Sequence, residues 1–186
     1  MKSRVVAAAV FVCLFVGPGL GTPDTEIRYE TTDLGSGKWQ YTYEVINLSL
    51  SVPIEEFTIW FKYGDYADLS ITTTALQGPS TNWSEVFWNP EPELLDDGAY
   101  DALTLDLVGI GVGENVSGFS VSFDWLGVGE PGSQYYEIID PVTFETIEDG
   151  YTIPEPGTLL LLGLGGFVLR RITKVSRREQ LARAVR

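Results

Sequence analysis

Three segments of this chain, at residues 39–45, 57–63 and 119–125, alternate apolar with polar side chains at a period of two. This period predicts half-buried β-strands, because successive side chains of a strand point to opposite faces of a sheet. No stretch of the central body carries apolar residues at helical spacing over the length of an ordinary helix. The pattern therefore predicts an all-β domain.

Weaker alternation marks further strand candidates and a turn between the first two strands. The candidates lie near residues 27–32, 69–75, 85–88, 102–108, 135–139 and 142–147. A glycine-rich turn is expected at residues 33–37. The strand near 102–108 would turn Leu103, Leu105 and Leu107 toward the core, with a bulge or bend at the glycines that follow. About eight or nine strands separated by turns predict a two-sheet β-sandwich of Ig-like or jelly-roll type.

The composition permits a packed core and excludes several kinds of site. Hydrophobic residues make up 44% of the chain and aromatic residues 12%, which argues against a disordered polypeptide. The chain has no histidine, and its single cysteine is Cys13. We therefore exclude a Cys/His zinc centre, a histidine-ligated haem, a Ser-His-Asp triad and a disulfide framework.

The formal net charge of −14 is unevenly distributed along the chain. Residues 22–156 hold 25 acidic and three basic residues, a charge of −22. Residues 157–186 hold seven basic residues and one acidic residue, a charge of +6. Because the acidic body repels phosphate groups, we predict that it binds no nucleic acid.

The N-terminal residues 1–21 have the organisation of a secretory signal peptide. Lys2 and Arg4 precede an apolar run from Val5 to Val16, and small residues up to Gly21 follow. The alternative is an uncleaved membrane anchor. A twelve-residue helix spans only about 18 Å of a hydrocarbon core of about 30 Å, which favours cleavage.

The C-terminal part carries three features in a fixed order. Pro154, Glu155 and Pro156 come first, an apolar run rich in leucine and glycine follows, and Arg170 and Arg171 end it. The prolines cannot continue a helix, and the arginines favour the cytoplasmic side of a membrane. This arrangement resembles the PEP-CTERM sorting signal.

The resemblance implies export, recognition by an exosortase, and delivery to the cell surface or the extracellular polymer matrix. On this interpretation, Glu155 belongs to a substrate motif and is not a catalyst. We expect three parts: a signal peptide at 1–21, a β-sandwich at 22–152, and a sorting signal at 153–186 with a transmembrane helix at 158–175. The partners would be the exosortase, the secretion machinery and, before processing, the inner membrane.

Three tryptophans of the body are candidates for sugar stacking. Trp60 lies opposite the apolar face of its strand, and Trp83 and Trp88 flank an acidic loop. Exposed indoles stack on sugar rings, and neighbouring carboxylates bind hydroxyl groups. The competing interpretation is that these indoles cover a sheet or lie beneath loops.

Acidic residues supply two further hypotheses. Asp96, Asp97 and Asp101 surround a glycine and could bind calcium through their carboxylates, although the spacing is not that of an EF-hand. A carboxylate pair such as Asp97 with Asp101, or Glu91 with Glu93, could serve a hydrolase. No motif places a second group at a reacting centre, so we predict no catalytic residue and no cofactor apart from this possible calcium.

The sequence therefore predicts a non-enzymatic protein of the cell surface or matrix. Its alternative function is a carbohydrate-binding module that docks on exopolysaccharide, and a calcium-stabilised adhesion domain or a hydrolase is more distant.

Overall fold

The computed structural model describes residues 22–106 and 108–155, and these residues form ten strands. None of the described residues belongs to a helix long and apolar enough to cross a membrane. The helices expected at 1–21 and 158–175 lie outside the described residues. The strands are β1 (Thr25–Gly35), β2 (Lys38–Asn47), β3 (Glu56–Phe61), β4 (Tyr66–Ile71), β5 (Trp83–Trp88), β6 (Gly98–Thr104), β7 (Asn115–Trp125), β8 (Tyr135–Ile139), β9 (Thr146–Tyr151) and β10 (Ile153–Pro154).

Two five-stranded sheets face each other, which confirms the predicted β-sandwich. The first sheet has the order β10-β1-β2-β7-β4, and the second has the order β5-β6-β3-β8-β9. All neighbouring strands are antiparallel except β10, which runs parallel to β1. The first and last strands of the described chain are therefore neighbours at one edge of the first sheet.

The core between the sheets is built mainly from aromatic rings. Phe119 of β7 packs against Phe57 of β3 with ring centroids 5.0 Å apart, and Trp83 of β5 lies 5.3 Å from the same Phe119 ring. Tyr41 of β2 stacks on Phe123 of β7 at 4.8 Å. Edge-to-face and offset contacts of this kind add to the stabilisation that burial alone provides.

The hairpin between β1 and β2 confirms the predicted turn. Ser36 and Gly37 both have positive φ angles, 57° and 80°. Two consecutive residues with positive φ match the right-handed twist of the flanking strands. The register shifts between Asp33 and Gly35, and the Asp33 carboxylate accepts a hydrogen bond from the Gly35 amide.

The three best-patterned strands are β2, β3 and β7, whereas three weaker candidates are displaced along the chain. The candidates at 69–75, 102–108 and 142–147 correspond to β4, β6 and β9. The last displacement has a clear cause, because Asp140 Oδ1 accepts hydrogen bonds from the amides of Val142 and Thr143. Residues expected to begin the strand therefore form the turn between β8 and β9.

The prediction that alternate leucines of β6 face the core is wrong. Tyr100, Ala102 and Thr104 face the core, while Leu105 is 57% exposed. The strand ends at Thr104, because the Asp106 carboxylate accepts hydrogen bonds from the Thr104 hydroxyl and the Val108 amide. The expected bend is present, but it comes earlier than the glycines; Leu107 lies outside the described residues.

We predict that Phe119→Ala lowers the free energy of unfolding by about 3–5 kcal/mol, because the fully buried ring leaves a cavity between the sheets. Phe144→Ala is the matched control. Its ring is 78% exposed, so the change should stay within about 0.5 kcal/mol. Urea denaturation of the detergent-solubilised full-length protein measures both. Equal losses would mean that Phe119 is not in the core.

Candidate functional site

The outer face of the second sheet carries a row of aromatic side chains that crosses the strands. Trp88 of β5 and Trp60 of β3 both pair with Ala99 of β6, so the two indoles stand on strands on either side of that alanine. The buried Ile59 of β3 pairs with Tyr136 of β8, so the next residues along these two strands, Trp60 and Tyr135, are also neighbours. Tyr135 in turn pairs with Tyr151 of β9. We call Trp88, Trp60, Tyr135 and Tyr151 the aromatic row.

The spacing of the aromatic row follows from the sheet. Neighbouring strands are about 4.8 Å apart, so Trp88 and Trp60 are separated by about 10 Å across β6. Tyr135 and Tyr151 meet edge to face, with ring centroids 5.6 Å apart and an angle of 62° between the rings. Trp88 is 58% and Tyr151 is 68% exposed. The row therefore presents aromatic surface to solvent along a line perpendicular to the strands.

A hydrogen bond fixes the Trp60 indole. Its Nε1 donates to Glu137 Oε2 over 2.8 Å, and Glu137 Oε1 accepts from the Thr146 hydroxyl over 3.0 Å. An indole held at its nitrogen loses little rotational freedom when a ligand stacks on it. Trp60 is therefore preorganised, whereas the exposed Trp88 has more freedom.

Carboxylates form a second row beside the aromatic one. Asp101 pairs with Thr58, Thr58 with Glu137, and Glu137 with Asp149, across four adjacent strands. The Thr58 hydroxyl donates to Asp101 Oδ2 over 2.8 Å. Burial raises the pKa of Asp101, and the hydrogen bond from Thr58 opposes part of that rise. This acidic row can accept hydrogen bonds from hydroxyl or ammonium groups and repels anions.

One end of the aromatic row opens into a cleft with a volume of about 280 Å³. Trp60, Tyr135, Tyr151 and Trp125 line it, and Gln134 lies among its lining residues. The Trp125 Nε1 donates to the Gly129 carbonyl over 2.9 Å. The loop that follows β7 folds across the Trp125 indole, and it can do so because residue 127 is glycine, since a Cβ there would collide with the ring. Cleft and row together form the candidate binding surface.

The structure separates the three tryptophans that the sequence suggested. Trp60 and Trp88 lie in the aromatic row, but Trp83 faces the core and is only 9% exposed. Its ring packs against Phe57 and Phe119, and its Nε1 donates to the Ser80 carbonyl. The hypothesis that Trp83 stacks on sugar is therefore wrong, because Trp83 lies five positions before Trp88, and this odd spacing places the two side chains on opposite faces of β5.

The acidic loop between β5 and β6 does not gather its carboxylates. Asp97 Oδ1 accepts from the Tyr63 amide over 2.6 Å, and Asp101 lies on the acidic row. Within residues 22–106 and 108–155, no group of three or more acidic side chains converges enough to hold a metal ion. The calcium hypothesis for Asp96, Asp97 and Asp101 thus gains no support and stays a prediction.

The two carboxylate pairs proposed for a hydrolase have different surroundings. Asp97 and Asp101 are separated by about 13 Å if the chain between them is extended, more than the roughly 5–9.5 Å of a two-carboxylate glycosidase. Glu91 and Glu93 are exposed, and Glu91 Oε1 accepts from the Glu93 amide. Neither arrangement points to a reacting centre.

The sorting motif begins inside the folded domain. Thr152 is fully buried, and β10 pairs with β1 through Arg28 opposite Ile153 and Tyr29 opposite Pro154. The Glu155 amide donates to the Tyr29 carbonyl over 2.9 Å. The sheet thus continues past the expected boundary at residue 152; Pro156, Arg170 and Arg171 lie outside the described residues.

Sequence reasoning missed Tyr135, Tyr151 and Trp125 as site residues. Tyr135 lies in a predicted strand, whereas Tyr151 lies beyond the candidate strand at 142–147. Their contact depends on the register of β8 with β9, and that register shifts between Ile138 and Ile139. Trp125 was visible as the end of a patterned strand, and the glycines after it were the only signal of a loop folding over it.

Several solved structures are similar to this chain at low identity and with TM-scores below 0.5. A family 3b carbohydrate-binding module from the biomass sensing system of Clostridium clariflavum is 11% identical, with a TM-score of 0.45, over 73% of this chain and 99% of that one. A CBM3 module of Hungateiclostridium clariflavum is 18% identical, with a TM-score of 0.37, over 56% and 75%. A cohesin module of a Clostridium perfringens family 33 glycoside hydrolase is 9% identical, with a TM-score of 0.35, over 72% and 98%.

No curated protein matches the chain. The family model of the PEP-CTERM protein-sorting motif matches residues 152–172. A second Pro-Glu-Pro sequence, at residues 90–92, lies outside this match, in the loop before β6. The chain therefore carries a PEP-CTERM protein-sorting motif, which starts at the buried Thr152 and runs on through β10.

Proposed function

We propose that this chain is an exported, non-enzymatic protein of the cell surface or extracellular matrix, sorted by an exosortase-type system. The observation that carries the proposal is the PEP-CTERM motif at residues 152–172. Its partners would be the processing enzyme and the secretion machinery, and its first location the inner membrane. The motif would be the substrate, and the sandwich would be the cargo.

The charge distribution supports this order of events. The apolar run after Pro156 and the following basic residues fit a helix at 158–175 whose tail stays in the cytoplasm. Residues 22–156, with a charge of −22, would lie on the other side of the membrane. Like charges on many copies repel each other, which keeps a secreted domain soluble among its neighbours.

Replacing Pro154, Glu155 and Pro156 by alanine should leave the precursor in the membrane, because the processing enzyme loses its recognition motif. The matched control is the same triple replacement at residues 90–92, a Pro-Glu-Pro sequence outside the sorting motif. Pulse-chase labelling in the native host, with the precursor and mature masses separated, measures both. Normal release of the mature form from the 154–156 variant would refute the proposal.

A second candidate function is carbohydrate binding, which the aromatic row favours. Trp60 and Trp88 are separated by about two strand spacings, and the cleft at Tyr135 and Tyr151 continues the same line. Apolar faces of sugar rings stack on aromatic side chains, and adjacent carboxylates accept hydrogen bonds from hydroxyl groups. A linear glycan lying across the strands would use both rows.

The acidic row determines which glycan fits. Asp101, Glu137 and Asp149 place negative charge beside the aromatic row, on a domain that is already strongly acidic. A polyuronate would be repelled, whereas neutral or amino-bearing sugars would not. The expected ligand is therefore a neutral or basic exopolysaccharide.

Trp60→Ala and Trp88→Ala should each weaken binding to a neutral polysaccharide by about tenfold, since each removes a stacking surface worth about 1.4 kcal/mol. Phe144→Ala, which removes an exposed ring outside the aromatic row, should leave binding unchanged. Affinity electrophoresis against neutral, amino and uronic acid polysaccharides provides the measurement. Equal mobility of all variants, or preference for the polyuronate, would contradict the binding surface proposed here.

A further inference from the structure

The sorting motif is part of a sheet, not of a free linker. Ile153 and Pro154 pair with Arg28 and Tyr29 of β1, and the Glu155 amide donates to the Tyr29 carbonyl over 2.9 Å. The hydrogen-bonding groups along one edge of the motif's backbone are therefore already paired with β1. An enzyme that binds an extended peptide needs backbone groups that are free to form hydrogen bonds with it.

A buried anchor precedes the motif. The Thr152 amide donates to the Gln134 carbonyl over 2.8 Å, and the Gln134 amide donates to Thr152 Oγ1 over 2.9 Å. Thr152 Oγ1 also donates to Gln134 Oε1 over 3.1 Å. Both residues are buried, at 0% and 3% exposure. Lifting β10 from its starting point would leave these buried polar groups without partners, which is costly.

The length of chain between the motif and the apolar run is short. Leu159 follows Glu155 by four residues, which reach at most about 14 Å when fully extended. If β10 left β1 and Thr152 left Gln134, the free chain would begin after Tyr151, and its reach to Leu159 would be about 29 Å. With β10 docked, the sandwich therefore lies close against any enzyme that acts on the motif at the membrane.

We infer that β1 and the processing enzyme compete for the segment Ile153–Glu155, so that the folded sandwich protects its own sorting motif. This inference rests on the proposed sorting function. Processing then occurs on chains in which β10 has not yet docked or has been lifted from β1. The sandwich thus determines when its precursor is cut, and the rate depends on the stability of the β10 edge.

A reversible lock tests the competition. In a Cys13→Ser background, the double substitution Arg28→Cys with Ile153→Cys places two thiols at paired positions of β1 and β10. Under oxidising conditions the mature form should fall at least about tenfold in pulse-chase of the full chain, and reductant should restore it. Glu30→Cys with Thr42→Cys, a pair that joins β1 to β2, is the matched control and should process normally.

A variant with a weaker Thr152 anchor tests the opposite expectation, that a β10 strand which undocks more easily is processed faster. Thr152→Val keeps the shape of the side chain but removes its hydrogen bonds to Gln134. Processing of precursor that has already folded should become at least about fivefold faster, because the loss of a single buried hydrogen bond shifts an opening equilibrium by about that factor and this variant loses two. Thr146→Val, which removes an exposed hydroxyl contact to Glu137, is the control and should not change the rate.

The outcomes separate this inference from the proposed function. Should the alanine replacement of 154–156 fail to block processing, the sorting function itself is wrong. If that replacement blocks processing while the oxidised β1–β10 pair is cut at the normal rate, only the competition is refuted. Failure of the two thiols to join, or an unchanged rate for Thr152→Val, would likewise overturn it. Hydrogen exchange at the Glu155 amide of the purified full chain should rise in Thr152→Val and not in Thr146→Val.

Discussion

The need to satisfy buried tyrosine hydroxyls governs how this sandwich is assembled. Tyr41 and Tyr43 face the core, where burial raises their pKa above the usual range and keeps both hydroxyls neutral. The Tyr41 hydroxyl donates to the Gly132 carbonyl. Gln134 meets the same need nearby, because its Oε1 accepts from the Tyr43 hydroxyl and its Nε2 donates to the Tyr66 hydroxyl. The same residue holds Thr152 through its backbone. One amide side chain thus links the centre of the core to the segment that leaves it.

Alternation along β8 and β9 joins this polar core to the candidate binding surface. Gln134 precedes Tyr135, and Tyr151 precedes Thr152, so one pair faces inward while the other pair meets on the outer face. Burial, and then the hydrogen bond to Asp149, raise the pKa of Tyr135. The contact between the two outer rings therefore lies directly beside the hydrogen bonds of the inner pair. Binding surface and sorting segment depend on the same four residues.

The sequence predicted those strands and side-chain directions that depend on local alternation. It did not predict the features that depend on which strands pair with each other. Alternation was enough for β2, β3 and β7 and for the outward direction of Trp60. Trp83 was misjudged because the pairing of β5 with β6, not the apolar pattern, determines which of its faces is buried. Leu105 was misjudged because Asp106 ends β6 with its own side chain. The docking of β10 could not be predicted from the sequence, since its partner β1 lies far away along the chain.

The parallel pairing of β1 with β10 also imposes an order on folding. These strands are more than a hundred residues apart, so the edge of the first sheet closes only after every other strand has been made. Contacts between distant parts of a chain form late, because closing the loop between them costs entropy. In a chain that emerges from its N-terminus, the sandwich has its core before it has its last strand. The interval between these two events is a property of the topology, and it lengthens or shortens with the speed at which the final residues emerge.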